Sequence, residues 1–312
     1  MVRVWLTYGI CHMTVFRILA HIMTAKTRTA VIPFLFVWLW STGFVGARFG
    51  LPYIEPFHFL SIRFALAIPC FLIIILIAKA VWTNRSQIMW QLLVGALLHG
   101  LYLGGVFYAI SIGFPAGLSA IIVGIQPILS TAANWALFGQ SISRWQMLGL
   151  VLGFSGLLAV IFGSAEVNGS NVGIIGLVVC LIALFSISAS TIIQKRYCAG
   201  TPLLTGSFWQ YIGALIVVLP ASLMIETHWV DHTWQLYAAI GWAVIALSII
   251  AILLLMYMIR EGEVAKVTSY FYLAPPVAVI QTWWLFGETL SVVSLVGCAV
   301  VVLGVALVVR DK

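Results

Sequence analysis

Apolar runs of about 20 residues follow one another along most of the chain, separated by short polar stretches, and a run of that length crosses a bilayer as a helix. They fall at 31–50, 58–78, 88–110, 116–138, 144–162, 172–194, 203–224, 235–259, 265–286 and 290–309. Backbone groups find no water partner in lipid, so spanning segments are helices or closed barrels. The runs are continuous and lack the ~10-residue apolar/polar alternation of a barrel strand. The pattern therefore predicts an all-α integral membrane protein with ten transmembrane helices. The connections are short, so no soluble domain is expected between them.

Composition agrees with this. Of 312 residues, 63% are hydrophobic and 7% charged, against roughly 25% charged in a soluble domain. Charge then orients the spans. With a cytoplasmic N-terminus, one side collects Lys26, Arg28, Lys79, Arg85, Arg144, Lys195, Arg196, Arg260, Lys266, Arg310 and Lys312. The other side collects Glu55, Glu166, Glu226, Asp231 and Glu288 and has no Lys or Arg in its loops. This matches the positive-inside rule and predicts both termini in the cytoplasm, with the protein in the cell inner (plasma) membrane. The net charge of +7 reflects this bias and not a nucleic-acid site. Arg48 and Arg63 stand apart, because both lie within predicted spans.

The chain also repeats itself. A shift of 148 residues aligns Pro127 with Pro275, Trp135 with Trp283, Phe138 with Phe286, Gly139 with Gly287, Ser143 with Ser291, Gly149 with Gly297 and Gly156 with Gly304. A shift of 149 aligns Tyr108 with Tyr257 and Gly113 with Gly262. Such spacing marks an internal duplication. The expected organisation is a leader over residues 1–30, a first repeat over 31–163 and a second over 171–309. Each repeat holds five spans, an odd number, so the second enters the membrane from the opposite side. Inverted-topology repeats of this kind are a signature of alternating-access transporters.

The stretches PAGLSAIIVGIQPILSTAANWALFGQSISRWQMLGLVLGFSGLLAVI and EGEVAKVTSYFYLAPPVAVIQTWWLFGETLSVVSLVGCAVVVLGVALVV each resemble the second part of an EamA domain, and the pair Arg63-Phe64 is similar to that family. The resemblance covers roughly residues 31–309 as two tandem domains. It implies a ten-helix member of the drug/metabolite transporter superfamily, whose members export or exchange amino acids, other small metabolites and drugs. One position departs from the pattern: Gln140 stands in the first copy where Glu288 stands in the second.

Broken helices at matching positions of two repeats point to a substrate site. Proline removes a backbone N–H and displaces the i−4 carbonyl, so Pro127, Pro275 and Pro276 are hinge candidates. Each either lines a site or only shapes packing. Ionisable groups within spans are costly and so are functional candidates. Arg63 is the deeper of the two arginines and suits an anionic or zwitterionic group, whose carboxylate its planar fork grips. Arg48, near a span end, reads as a residue reaching the headgroups. His99 shares a helix face with Gly95 and Tyr102, and it either hydrogen-bonds within the bundle or lines the path and titrates. With Arg63 and His99, the aromatic residues Trp40, Tyr102, Trp209, Tyr211, Tyr270 and Trp283 complete the candidate substrate path. No Asp or Glu lies deep in any span. Proton coupling would then rest on His99, an end carboxylate or the substrate, and uniport or exchange stands beside it.

Gly149 and Gly153, with the Ser and Thr residues of the sixth span, read as close helix packing. Five scattered cysteines, Cys11, Cys70, Cys180, Cys198 and Cys298, show no CxxC spacing and read as small apolar residues. No catalytic, ATP-binding, cofactor or metal motif is expected. Residues 1–22 lack a signal-peptide cleavage site, and Met23 is the preferred start. The sequence thus reads as a secondary carrier of a small metabolite, an exporter or exchanger working by alternating access. The alternative is a non-transporting membrane protein, either lipid-processing or an assembly partner.

Overall fold

The computed structural model describes residues 25–139, 141–163, 171–261, 273–288 and 290–310. The leader expected over 1–30 lies largely outside them, as do Cys11, Gln140, Glu166, Glu263, Lys266 and Tyr270. Helix α1 runs Ala25–Gly50 and α2 Pro56–Ile77. Helix α3 covers Arg85–Ser111 and α4 Ala116–Phe138. Helices α5 Arg144–Gly163, α6 Asn171–Tyr197 and α7 Leu203–Ile225 follow. Helix α8 is built from Trp234–Trp242, Ala243–Ile250 and Ala251–Glu261. Helices α9 Ala274–Phe286 and α10 Val292–Arg310 close the described chain. The described residues form no strand beyond one isolated bridge, Ile54 to Val230. Helices α1 to α8 contain the eight segments long and apolar enough to cross a membrane, and Val292–Val308 is a shorter apolar helix.

Local chemistry sets the helix ends. Asn84 and Thr233 cap α3 and α8, their side chains accepting from Ser86 N and Leu236 N. Ser143 and Gln146 form a reciprocal box at α5, each backbone N–H donating to the other side chain at 3.1 Å. At the aligned position Ser291 Oγ accepts from Ser294 N. WALFG and WWLFG end in the same turn. Gly139 and Gly287 sit at φ 61° and 66°, and their N–H groups donate to Trp135 O and Trp283 O, both at 3.0 Å. Only glycine adopts that left-handed conformation freely.

Two departures from regular helix go beyond the span pattern. Helix α4 is interrupted at Ile125, whose N–H reaches back to Ile122 O at 3.3 Å, and Pro127 opens the second segment. Pro275 likewise stands in the first turn of α9. Helices α3 and α8 each contain a π-helical stretch, Ala96–Tyr102 and Ala243–Ile250, about one repeat length apart. Such stretches are rare and gather at functional sites.

Helices α5 and α10 cross at their glycines. A Cβ built on Gly156 would lie 2.8 Å from Gly297 O, and one on Gly297 would lie 2.8 Å from Gly156 O. Gly149 and Gly304 repeat the arrangement, at 2.5 Å and 2.7 Å. Small residues let backbones approach in lipid, where apolar side chains gain nothing by leaving the solvent. Overpacking such a contact costs about 1–3 kcal/mol. Gly156→Leu should therefore lower the thermal midpoint of the purified protein by several degrees. Leu148→Ala, which trims a lipid-facing side chain of the same helix, should leave it nearly unchanged. Equal midpoints for Gly156→Leu and wild type would refute the tight crossing.

Of the described acids, Glu55, Glu226, Asp231 and Glu288 gather at one end of the bundle, and Glu261 ends α8 at the other. Glu226, after α7, accepts from Phe57 N and His58 N of α2 at 2.7 Å each. Glu55, before α2, accepts from Thr227 N and Trp229 N at 3.1 Å each. Burial opposes ionisation of Glu55, but these bonds outweigh it and hold its carboxyl below the usual value. Glu288, after α9, accepts from Ala116 N at 3.2 Å and Gly117 N at 3.0 Å, and lies 3.8 Å from Arg48 Nε. Arg48 thus finds a carboxylate and not only headgroups. Lys79, Arg85, Arg144, Lys195 and Arg196 lie at the opposite helix ends.

Candidate functional site

Between α1, α2, α3, α7 and α8 lies a cavity of about 60 Å³. Its wall brings together Trp40, Arg63, His99, Tyr102 and Tyr211, with Phe44 and Phe107 completing an aromatic lining. A second cavity adjoins it and shares Trp40, Phe44 and Tyr102. Its far wall holds Gln126, Pro127, Ala274 and Pro275, so the interrupted α4 and the start of α9 meet the same space. Gly124 packs directly on Pro275, an approach that a side chain at position 124 would block.

Arg63 is 5% exposed. Its Nε donates to Ser248 Oγ at 3.0 Å, and its Cζ lies 5.7 Å from the centre of the Phe64 ring. Ser248 lies in the π-helical stretch of α8. Its hydroxyl donates to Ala243 O five residues back, and its carbonyl accepts from Tyr211 at 3.4 Å. The irregular turn thus presents both a hydroxyl and a carbonyl to the cavity wall. The ion pair among the described residues is Arg48 with Glu288, so no described carboxylate neutralises Arg63. His99, from the other π-helical stretch, stacks on Tyr211 at 5.0 Å, next to Gln210 in sequence. Gln210 donates to Gln91 at 2.7 Å. The Tyr211 contact gives His99 a partner within the bundle and places it on the cavity wall as well.

Two other expected path residues do not join them. Trp209 packs edge-on against Phe208, with its indole nitrogen buried and unpaired. Trp283 is 59% exposed and turns outward. Tyr270 lies outside the described residues. Pro276 sits beside Pro275 in the first turn of α9 and is not part of the cavity wall. Gln126, Ser248 and Phe44 were not singled out from the sequence. Gln126 carries a signal, a polar residue immediately before the mid-span proline, and its amide bonds Ser130 and Thr191 at 3.0 Å and 3.1 Å. Ser248 carries none, since isolated serines in spans usually serve packing. The described residues form no cluster of His, Cys, Asp or Glu able to hold a metal.

Comparison with known proteins closes the question of family. The chain is 27% identical to the uncharacterized transporter YvbV of Bacillus subtilis, covering 91% of this chain and 92% of that protein. It is 25% identical to the uncharacterized inner membrane transporter YedA of Escherichia coli K12, covering 88% of each. It is 27% identical to a probable amino-acid metabolite efflux pump of Salmonella typhimurium, covering 86% and 91%. A protein crystal structure shares the fold at a TM-score of 0.64 and 17% identity, over 89% of this chain and 94% of that one. The EamA-like transporter family model matches twice, at residues 28–162 and 174–310. A multi-pass membrane protein of this fold, matched over both halves, belongs to the EamA-like transporter family.

Proposed function

We propose that this chain is a secondary transporter of a small metabolite, acting by alternating access around the cavity that holds Arg63. The observation that carries this reading is the cavity's construction. Helices from both halves build it, it holds one buried cation, and interrupted helix segments border it. The reading has ten spans, with the described part of α9 and the whole of α10 completing the second set of five. The two sets are inverted repeats. Three paired features support this: the left-handed glycines at 139 and 287, the π-helical stretches of α3 and α8, and the glycine crossing of α5 with α10. That crossing is reciprocal under the 148-residue shift, which exchanges the Gly149–Gly304 contact with the Gly297–Gly156 contact.

The acidic end faces outward and the basic end faces the cytoplasm of an inner membrane, following the positive-inside rule. A cavity of about 60 Å³ holds a few waters and not a metabolite, so the halves must move apart to admit substrate. Pro127 and Pro275 are the hinges. Counterflow in proteoliposomes against amino acids, organic acids, nucleobases and cationic drugs, with and without a pH gradient, tests the reading. A saturable signal supports it, and its dependence on the gradient separates proton coupling from exchange. The absence of counterflow with every compound from folded protein counts against it. Pro127→Ala combined with Pro275→Ala should lower turnover about tenfold while expression stays near wild type. Unchanged turnover would rule out the hinge role.

A further inference from the structure

We infer that the cavity selects a monoanionic carboxylate with an aromatic or aliphatic body, over both the matching amine and the matching α-amino acid. This rests on the transporter reading above and names its substrate class.

The charge balance of the cavity carries the inference. Arg63 keeps its proton in a protein and offers five N–H donors. In the structure it has one hydroxyl partner, Ser248, and one ring, Phe64. A buried charge costs several kcal/mol unless it is paired. Of the described acids, Glu55, Glu226 and Glu288 are bound to helix ends and loops at the acidic end of the bundle, Asp231 lies in the loop before α8 at that end, and Glu261 ends α8 at the opposite end. The missing anion must therefore arrive with the ligand, and a carboxylate fits the guanidinium fork with two parallel hydrogen bonds.

The rest of the wall decides what the carboxylate can bring with it. Around Arg63 stand Trp40, Phe44, Tyr102, Phe107 and Tyr211. The nearest carbonyl shown in use, Ser248 O, already accepts from Tyr211. An organic acid leaves the cavity neutral. An α-amino acid satisfies Arg63 and then adds an ammonium one carbon away from its own carboxylate, with no described acid to receive it. Two like charges about 4 Å apart repel by about 4 kcal/mol at an effective dielectric of 20. Contact of the ammonium with an aromatic face returns only about 0.5–2 kcal/mol, so repulsion wins. A simple amine suffers the repulsion without any pairing. The adjoining cavity beyond Trp40 and Tyr102, ending at Gln126 and Pro127, gives the apolar body somewhere to extend.

Three compounds share one ring and one two-carbon link: 3-phenylpropionate, L-phenylalanine and 2-phenylethylamine. Phenylpropionic acid crosses bilayers unaided, so the readout is binding to the purified protein in nanodiscs, followed by tryptophan fluorescence and thermal shift. The expected order is 3-phenylpropionate tightest, L-phenylalanine at least about tenfold weaker, and 2-phenylethylamine without a saturable signal. Arg63→Gln should erase the order and Arg63→Lys should keep part of it, with apo melting curves showing that both fold. The inference is overturned if the amino acid or the amine binds as tightly as the acid. It is overturned too if none of the three binds protein that shows counterflow of another compound, and there the transporter reading survives. Failure of counterflow with every compound would fall on the transporter reading instead.

Discussion

Arg63→Met should abolish saturable transport while leaving the apo protein as stable as wild type or more so. The two halves of this expectation come from one feature, a buried guanidinium without a described carboxylate partner. Removing it removes a desolvated charge, and replacing buried ionic groups by apolar ones of similar volume is often neutral or stabilising. Its Ser248 partner keeps a bond to Ala243 O, so the substitution strands no hydroxyl. Substrate, by contrast, loses a charge-assisted pair whose breaking costs about 3–5 kcal/mol, roughly 10²–10⁴ in affinity. Arg63→Lys should recover only part of this, because an ammonium is a point charge without the fork. Counterflow and thermal unfolding measured on the same preparations check both halves. A purely structural arginine would give the opposite pattern, a lower midpoint with transport reduced only in proportion to folded protein.

Glu288→Ala should open the acidic end. The Glu288 carboxylate ties α9 to α4 through Ala116 N and Gly117 N, and to α1 through Arg48. Hydrogen bonds to a charged group contribute about 1.5–3 kcal/mol each, and the positive end of α4 adds to them. The Arg48 pair is 3.8 Å long and 43% exposed on the arginine side, so it adds less than about 1 kcal/mol. The caps therefore dominate, and Arg48→Gln should change little. A loss of about 3 kcal/mol shifts a two-state equilibrium by roughly 10². Ala120 is fully buried on the adjoining cavity wall, so it reports the shift. With Ala120→Cys in a cysteine-free background, labelling by a membrane-impermeant thiol reagent from outside should rise at least tenfold in Glu288→Ala. Glu226 joins α7 to α2 and not α9 to α4, so Glu226→Ala should lower stability without that rise. Equal labelling of the Glu288→Ala and parent proteins would remove Glu288 from any gate. The first copy carries Gln140 at the aligned position, where an amide has no charge to set against a helix end.

Much of this protein was legible without coordinates, for reasons specific to lipid. A helix that must satisfy its own backbone within a bilayer announces itself by an unbroken apolar run, so the ends of α2 to α8 and of α10 fall within a few residues of the hydrophobic boundaries. The Gly139 and Gly287 turns were legible because glycine at a helix end carries one meaning. Arg63, His99, Tyr102 and Trp40 were legible as candidates because ionisable and large polar side chains are scarce and costly at that depth.

The choice among candidates belongs to the tertiary structure. Trp283 and Trp40 are alike in sequence, but one faces outward and the other faces the cavity, because a helix apolar on all sides does not mark its buried face. Local sequence has no term for a π-helical turn, so Ser248 at Arg63 and the carbonyl given to Tyr211 emerged only from packing. The acids at 55, 226 and 288 read as loop charges along the chain. Their capping partners lie well over 100 residues away, a distance that only the fold closes. Sequence by itself determined that this is a repeated helical membrane protein of a transporter kind, because lipid constrains every span in the same way. Only the tertiary structure decided that Arg63 stands without a described counter-ion among aromatic rings, because pairing depends on which helices meet.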